Sequence, residues 1–152
     1  MGQYFTNDNS IPSKLVKTRA VVLNNSFIFY TDNGVFSKDG LDFGSRLLLE
    51  NIPLTEIGES LLDVGCGYGV FGIILNKILG VKVTMCDVNR RALHLAEKNI
   101  KENKCSDCSV IESSCYQNIN SKYSTIITNP PIRAGKKVVY EILEGAKDYL
   151  LP

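Results

Sequence analysis

The chain is 152 residues long, with a net charge of +1, 44% hydrophobic and 22% charged residues. That length suffices for one core and is short for two domains, and the composition is that of an ordinary globular protein. No apolar run approaches the roughly 20 residues needed to span a bilayer, and the near-neutral balance excludes a polycation, so attraction to nucleic acid has to come from local patches.

The amino terminus, Met1-Gly2-Gln3-Tyr4-Phe5, lacks the basic-then-apolar pattern of a signal peptide. The cysteines Cys66, Cys86, Cys105, Cys108 and Cys115 form an odd, scattered set. Together these features predict reduced thiols, a cytoplasmic protein and no membrane partner.

Residues 1–19 are polar, with Pro12 and the basic residues Lys14, Lys17 and Arg19, and read as an arm that pairs loosely with the neighbouring strand segments. Val21–Leu23 and Phe27–Tyr30 are strand-like, with Asn24-Asn25 suiting the turn between them. Asp32-Asn33-Gly34 signals a second hairpin turn and Val35–Ser37 a returning strand. Residues 1–41 are therefore expected to form an arm and a small antiparallel element, ahead of a larger domain over 42–152. Asp42 to Ile52 reads as a helix ended by Pro53.

The chain is organised around Leu61-Leu62-Asp63-Val64-Gly65-Cys66-Gly67-Tyr68-Gly69. An apolar strand, Ser60 to Val64, passes through three glycines into an apolar helix, Val70 to Leu79, with Gly80 placed to cap it. Strand, glycine turn and helix in that order present backbone to a nucleoside-like ligand at the carboxyl end of a parallel strand. A second strand, Val81 to Cys86, leads to Asp87, about 20 residues beyond the glycines, where a carboxylate can grip a ribose diol. Taken alone, the glycine triplet is also explained by a strained strand-to-helix turn.

Val88 to Lys104 comes next as an amphipathic helix on Ala92, Leu95, Ala96, Asn99 and Ile100. His94 falls on its charged side and reads as solvated. Cys105-x-x-Cys108 has no second ligand pair, so it reads as a loop into the strand Cys108–Glu112, and no metal is expected. Ser124–Thr128 is the next strand, followed at once by Asn129-Pro130-Pro131-Ile132, and Val138 to Leu150 reads as a final helix. The alternation predicts an α/β, doubly wound, Rossmann-like parallel sheet in which the strand ending at Thr128 lies beside the one ending at Val64.

Asp63-x-Gly65-x-Gly67-x-Gly69 with Asp87 resembles the cofactor signature of class I S-adenosylmethionine-dependent methyltransferases, and Asn129-Pro130-Pro131-Ile132 resembles the catalytic motif of those that methylate planar nitrogens. The longer segment Asn129 to Lys137, with Phe29 to Ser37 and Asp42-Phe43-Gly44-Ser45 upstream, is similar to the small-subunit ribosomal RNA guanine-N2 methyltransferase family. The resemblance covers roughly 26 to 150. It implies a seven-stranded sheet, of which four strands precede Pro152, so the C-terminal strands are expected to be missing and the strand ending at Thr128 to offer an edge for self-association.

For the site, the resemblance implies specific roles. Asp63, Gly65, Cys66, Gly67, Gly69, Asp87, Val88, Ser114 and Asn129 would hold S-adenosylmethionine. Asn129, Pro130, Pro131 and Ile132 would carry catalysis, Asn129 Oδ1 and the Pro130 carbonyl accepting both hydrogens of an exocyclic amine. Arg133, Lys136 and Lys137 would meet phosphates of ribosomal RNA or of the small subunit. Ile132 replaces the aromatic residue common at this position, and Ser114 stands where the family often has Asp. Three alternatives stay open: transfer to protein glutamine or another amine, a non-catalytic cofactor-binding fragment, and nicotinamide-dinucleotide binding.

Overall fold

The computed structural model of the chain describes residues 15–32, 51–128 and 135–152. The strand expected over 35–37 lies outside them, as does all but the end of the helix expected over 42–52. In chain order the elements are β1 (Leu15–Val22), β2 (Asn25–Asp32), β3 (Ser60–Val64), α1 (Val70–Leu79), β4 (Lys82–Asp87), α2 (Arg90–Glu102), β5 (Cys108–Glu112), β6 (Thr125–Thr128) and α3 (Gly135–Gly145), with 3-10 turns at Leu54–Glu56 and Ala146–Asp148.

The strands β3 to β6 form one parallel sheet in the order β5-β4-β3-β6. The first three are laid down in one direction and β6 returns to the other side of β3. This reversal is the switch point at which open α/β sheets take ligands. Alternation along β3 sorts its side chains onto two faces. Leu61 joins Val83, Met85, Ile73 and Ile74 in the core under α1, whereas Leu62 and Val64 join Cys86, Tyr116 and Ile142 on the α3 side. Gly72 permits the close approach of α1 to the sheet, because a Cβ there would stand 2.8 Å from Met85 Sδ. At the amino ends of β3 and β6, Ser60 and Ser124 each donate a backbone N–H to the other's hydroxyl, both at 2.9 Å.

Residues 15–19, expected to belong to a loosely paired arm, are part of a strand, and residues 1–14 of that arm lie outside the described residues. Leu15 to Val22 pair antiparallel with Asn25 to Asp32 over their full length. The turn is Leu23-Asn24, at φ 50° and 65°, and Asn25 supports it by donating its side-chain N–H to the Leu23 carbonyl at 2.8 Å. The arm is a strand because Ala20 and Val22, with Phe27 and Phe29 opposite, enter the core that Leu61 and Ile74 share.

Both later helices differ from expectation at each end: the one expected over 88–104 runs Arg90–Glu102, and the one expected over 138–150 runs Gly135–Gly145. The second helix starts at Arg90 because Asn89 caps it, its side chain accepting the Ala92 N–H at 3.1 Å. The last helix stops at Gly145 instead of Leu150. There Tyr149 turns away to stack on Tyr116, with ring centroids 4.5 Å apart, and Leu150 runs parallel beside Tyr123. A Cβ at Gly145 would lie 2.9 Å from the Tyr116 ring, so the helix end and the ring fit only through glycine.

Candidate functional site

At the carboxyl end of β3 the chain enters the glycine turn with Gly65 at φ 73°, Gly67 at 55° and Gly69 at 88°. These left-handed conformations are why glycine stands at each. The Gly65 and Cys66 N–H groups both donate to the Cys86 carbonyl at 2.9 Å, and Gly69 donates to the Cys66 carbonyl at 3.0 Å before α1 begins. A Cβ at Gly65 or Gly67 would meet nothing within 4 Å, so the outer side of the turn is open to a ligand.

Asp87, at the tip of β4, faces this turn. Its Oδ2 accepts the Gly67 N–H at 2.8 Å and its Oδ1 accepts the Asn89 N–H at 3.0 Å. Each oxygen keeps further lone-pair capacity for a diol. Val88 beside it is 37% exposed and forms an apolar rim. The β5 tip is pinned by the Ser113 N–H on the Asp87 carbonyl at 3.0 Å and by the Ser113 hydroxyl on the Cys115 carbonyl at 2.8 Å. Ser114 is exposed immediately next to it.

Asp63 sits deeper than its neighbours. It is 1% exposed on the α1 side of β3, and its Oδ2 has no hydrogen-bond partner among the described residues. Burial pushes its carboxyl up to about 7, against the opposing pull of the Gly72 N–H and with help from the Asp87 charge. Its backbone N–H partner, Gly72, lies on α1, one turn past the glycines. The thiols are unsuited to nucleophilic work: burial pushes Cys66 well up and Cys86 up to about 12, and the Asp63 charge adds to both. Cys115 is raised to about 11, mainly by burial.

On the other side of β3, β6 brings its tip level with the turn. Thr128 pairs with Val64 in register, and its hydroxyl donates to the Val64 carbonyl at 2.9 Å. Asn129, Pro130, Pro131, Ile132 and Arg133 lie outside the described residues, but their point of departure is one residue from the start of the glycine turn. Lys136 and Lys137 are exposed in the first turn of α3.

The structure thus brings Gly65, Cys66, Gly67, Gly69, Asp87, Val88 and Ser114 to one sheet edge. The turn fits an adenosine-bearing donor through its open glycines and its presented carboxylate. His94 is exposed on α2, as expected, and Cys108 begins β5. The neighbouring Cys105 and Cys108 thiols shift each other, Cys105 downward and Cys108 upward, and no group of three or more metal-ligating side chains occurs among the described residues. No helix among them is long and apolar enough to cross a membrane. Sequence reading passed over three residues that shape the site: Thr128, Asn99, which reaches the Tyr68 carbonyl at 2.9 Å, and Asn89. Only Asn89 carried a local signal, as an N-cap residue before an amphipathic run.

Comparisons with known proteins agree with this geometry. Residues 26–152 match the model of the methyltransferase small domain. The chain is 39% identical over 150 residues to the uncharacterized protein YbxB of Bacillus subtilis, covering 97% of this chain and 75% of that one. It is 38% identical over 130 residues to ribosomal RNA small subunit methyltransferase C of Mannheimia succiniciproducens, covering 82% of this chain but 38% of that relative. Among solved structures, the T. thermophilus 16S rRNA N2 G1207 methyltransferase (RsmC), in complex with AdoMet and guanosine, superposes with a TM-score of 0.81 at 25% identity, over 93% of this chain and 40% of that one. The tRNA (uracil-54, C5)-methyltransferase of Pyrococcus abyssi shares the fold, with a TM-score of 0.63. The glycine turn, the facing carboxylate and the β6 tip beside them form the candidate site, and the chain belongs to the methyltransferase small domain family.

Proposed function

We propose that this chain is an S-adenosylmethionine-dependent N-methyltransferase that methylates the exocyclic N2 of a guanine in small-subunit ribosomal RNA. The observation that supports the reading is the convergence of the β3 and β6 tips, where Thr128, the residue before the Asn129 motif, pairs with and hydrogen-bonds to Val64, the residue before the glycine turn. The solved relative with AdoMet and guanosine together supports both the donor and the acceptor class.

S-adenosylmethionine supplies a methyl group already activated by its sulfonium charge. In this reading Gly65, Cys66, Gly67 and Gly69 give the donor room, Asp87 accepts hydrogen bonds from its ribose, and Val88 and Ser114 border its base. Asn129 and the Pro130 carbonyl accept the two N–H groups of the target amine, with Pro131 and Ile132 shaping the turn around it. Holding both hydrogens draws the nitrogen lone pair out of conjugation with the ring and aims it at the donor. Positioning and preorganised dipoles then do most of the catalysis. No thiolate takes part, since Cys66 and Cys86 stay protonated near neutrality. Arg133, Lys136 and Lys137 serve RNA phosphates. The target base has to be unpaired or flipped out to reach these strand tips.

The β6 strand ends the sheet among the described residues, and in this reading its outer edge is a surface for self-association. The test of the main reading is transfer from methyl-labelled S-adenosylmethionine to small subunits, to naked small-subunit RNA and to ribosomal protein, followed by nucleoside analysis. Label in N2-methylguanosine is the expected result. Label in protein alone, or at another base position, overturns the guanine-N2 assignment.

A further inference from the structure

Asn99 is fully buried on the inner face of α2. Its Oδ1 accepts the Tyr30 N–H at 2.7 Å, and its Nδ2 donates to the Tyr30 carbonyl at 3.1 Å and to the Tyr68 carbonyl at 2.9 Å. One helical turn later Asn103 repeats the clamp. Its Oδ1 accepts the Ile28 N–H at 3.0 Å, and its Nδ2 donates to the Ile28 carbonyl at 2.8 Å and to the Asn99 carbonyl at 2.8 Å. Two side-chain amides thus complete the outer edge of β2 as a neighbouring strand would. The spacing matches: four helical residues rise about 6 Å, and two strand residues advance about 6.8 Å.

The two asparagines differ in one bond. Asn103 spends its second N–H within α2, whereas Asn99 reaches the glycine turn. There the Gly67 N–H is held by Asp87 and the Tyr68 carbonyl by Asn99, so the 66–67 and 68–69 peptides of the turn are each held by a side chain from another part of the fold. The flanking glycines, at φ 55° and 88°, would otherwise leave this stretch of backbone free to reorient. The Tyr68 ring is buried with Ala92 and Leu95, and Tyr30 packs against the same cluster. A Lys98 ammonium lies 4.5 Å from the centre of the Tyr30 ring.

We infer that Asn99 is a positioning residue for the cofactor site, holding the Tyr68 peptide in its donor-receptive orientation and tying donor affinity to the docking of the β1–β2 hairpin. The inference rests on the S-adenosylmethionine reading of the glycine turn. Because the bond network is shared, donor binding and hairpin docking each strengthen the other.

The matched pair of asparagines supplies the control. Asn99→Ala and Asn103→Ala both remove bonds to the hairpin edge, but only the first also removes a bond to the Tyr68 carbonyl. Titration calorimetry with S-adenosylmethionine, at a temperature where each variant is folded, is expected to show affinity weakened about tenfold in Asn99→Ala, which loses both the hairpin and the Tyr68 bond, and only about two- to threefold in Asn103→Ala, which loses the hairpin bonds alone, at comparable losses of Tm. Equal weakening in the two variants, or unchanged affinity in a folded Asn99→Ala, overturns the inference. A measurement on the wild-type protein keeps it testable if Asn99→Ala does not fold. Amide exchange at Ile28 and Tyr30 is expected to slow several-fold when S-adenosylmethionine saturates the protein, and unchanged exchange refutes the coupling. Wild-type protein that binds no S-adenosylmethionine overturns the cofactor reading and this inference with it, whereas binding without either effect overturns this inference alone.

Discussion

The Thr128 hydroxyl donates to the Val64 carbonyl at 2.9 Å, joining the last described residue of β6 to the residue before the glycine turn. A β-branched hydroxyl residue does two jobs here: it suits the strand, and it locks the strand tip. Thr128→Val keeps the shape and removes the bond. The expected cost is about 1 kcal/mol in stability. Methyl transfer should fall by a larger factor than donor affinity, since Thr128 leads directly into the motif proposed to carry the amine contacts. Comparing kcat with the calorimetric Kd for S-adenosylmethionine checks this.

Asn129 carries the proposed amine contact. Asn129→Ala is expected to lower methyl transfer at least a hundredfold while leaving donor affinity within a few-fold. Single-turnover kinetics on small-subunit RNA measures the first quantity and calorimetry the second. Turnover close to wild type would remove Asn129 from the mechanism.

Asp87 accepts backbone N–H groups from both Gly67 and Asn89. Asp87→Ala leaves these donors without their carboxylate and takes away the ribose partner together. Donor affinity should drop by more than tenfold, with a smaller loss of Tm. Asp87→Asn, which retains one acceptor oxygen, should fall between the two.

Buried Asp63 makes stability depend on pH. Its carboxyl is raised from an ordinary 3.8 to about 7, so the folded chain binds this proton more tightly than the unfolded chain does. Its contribution is complete below about pH 4 and is lost as pH rises through 7. Asp63→Asn cannot ionise and loses that slope. Urea midpoints at pH 5 and pH 8 should therefore differ less for the variant, with the variant's relative gain at pH 8.

Gly72 faces a wall of side chains, where an added Cβ would stand 2.8 Å from Met85 Sδ and 3.0 Å from Val83 Cγ1. Gly72→Ala overpacks the contact of α1 with the sheet and should cost about 1–3 kcal/mol in denaturant unfolding. A cost near zero would mean that α1 can lift from the sheet freely.

The amino-acid sequence by itself determined the elements whose signals are local. Ser60–Val64, Val70–Leu79 and Cys108–Glu112 are bounded as their apolar patterns and flanking glycines predict, and Gly80 caps α1 with its N–H on the Asn76 carbonyl. The glycine turn and Asp87 were legible because backbone conformation and a charge at a strand tip are written within a few residues. Tertiary structure decided what depends on which element becomes a neighbour. Leu15 to Arg19 became a strand only through its partner and the shared core, and Asn99 looked like one more position on an apolar helix face. Its bonds reach 69 residues back to Tyr30 and 31 residues back to Tyr68. Buried hydrogen-bonding groups must find partners, but sequence spacing cannot name them, since the partner is set by how the hairpin, α2 and the turn pack together.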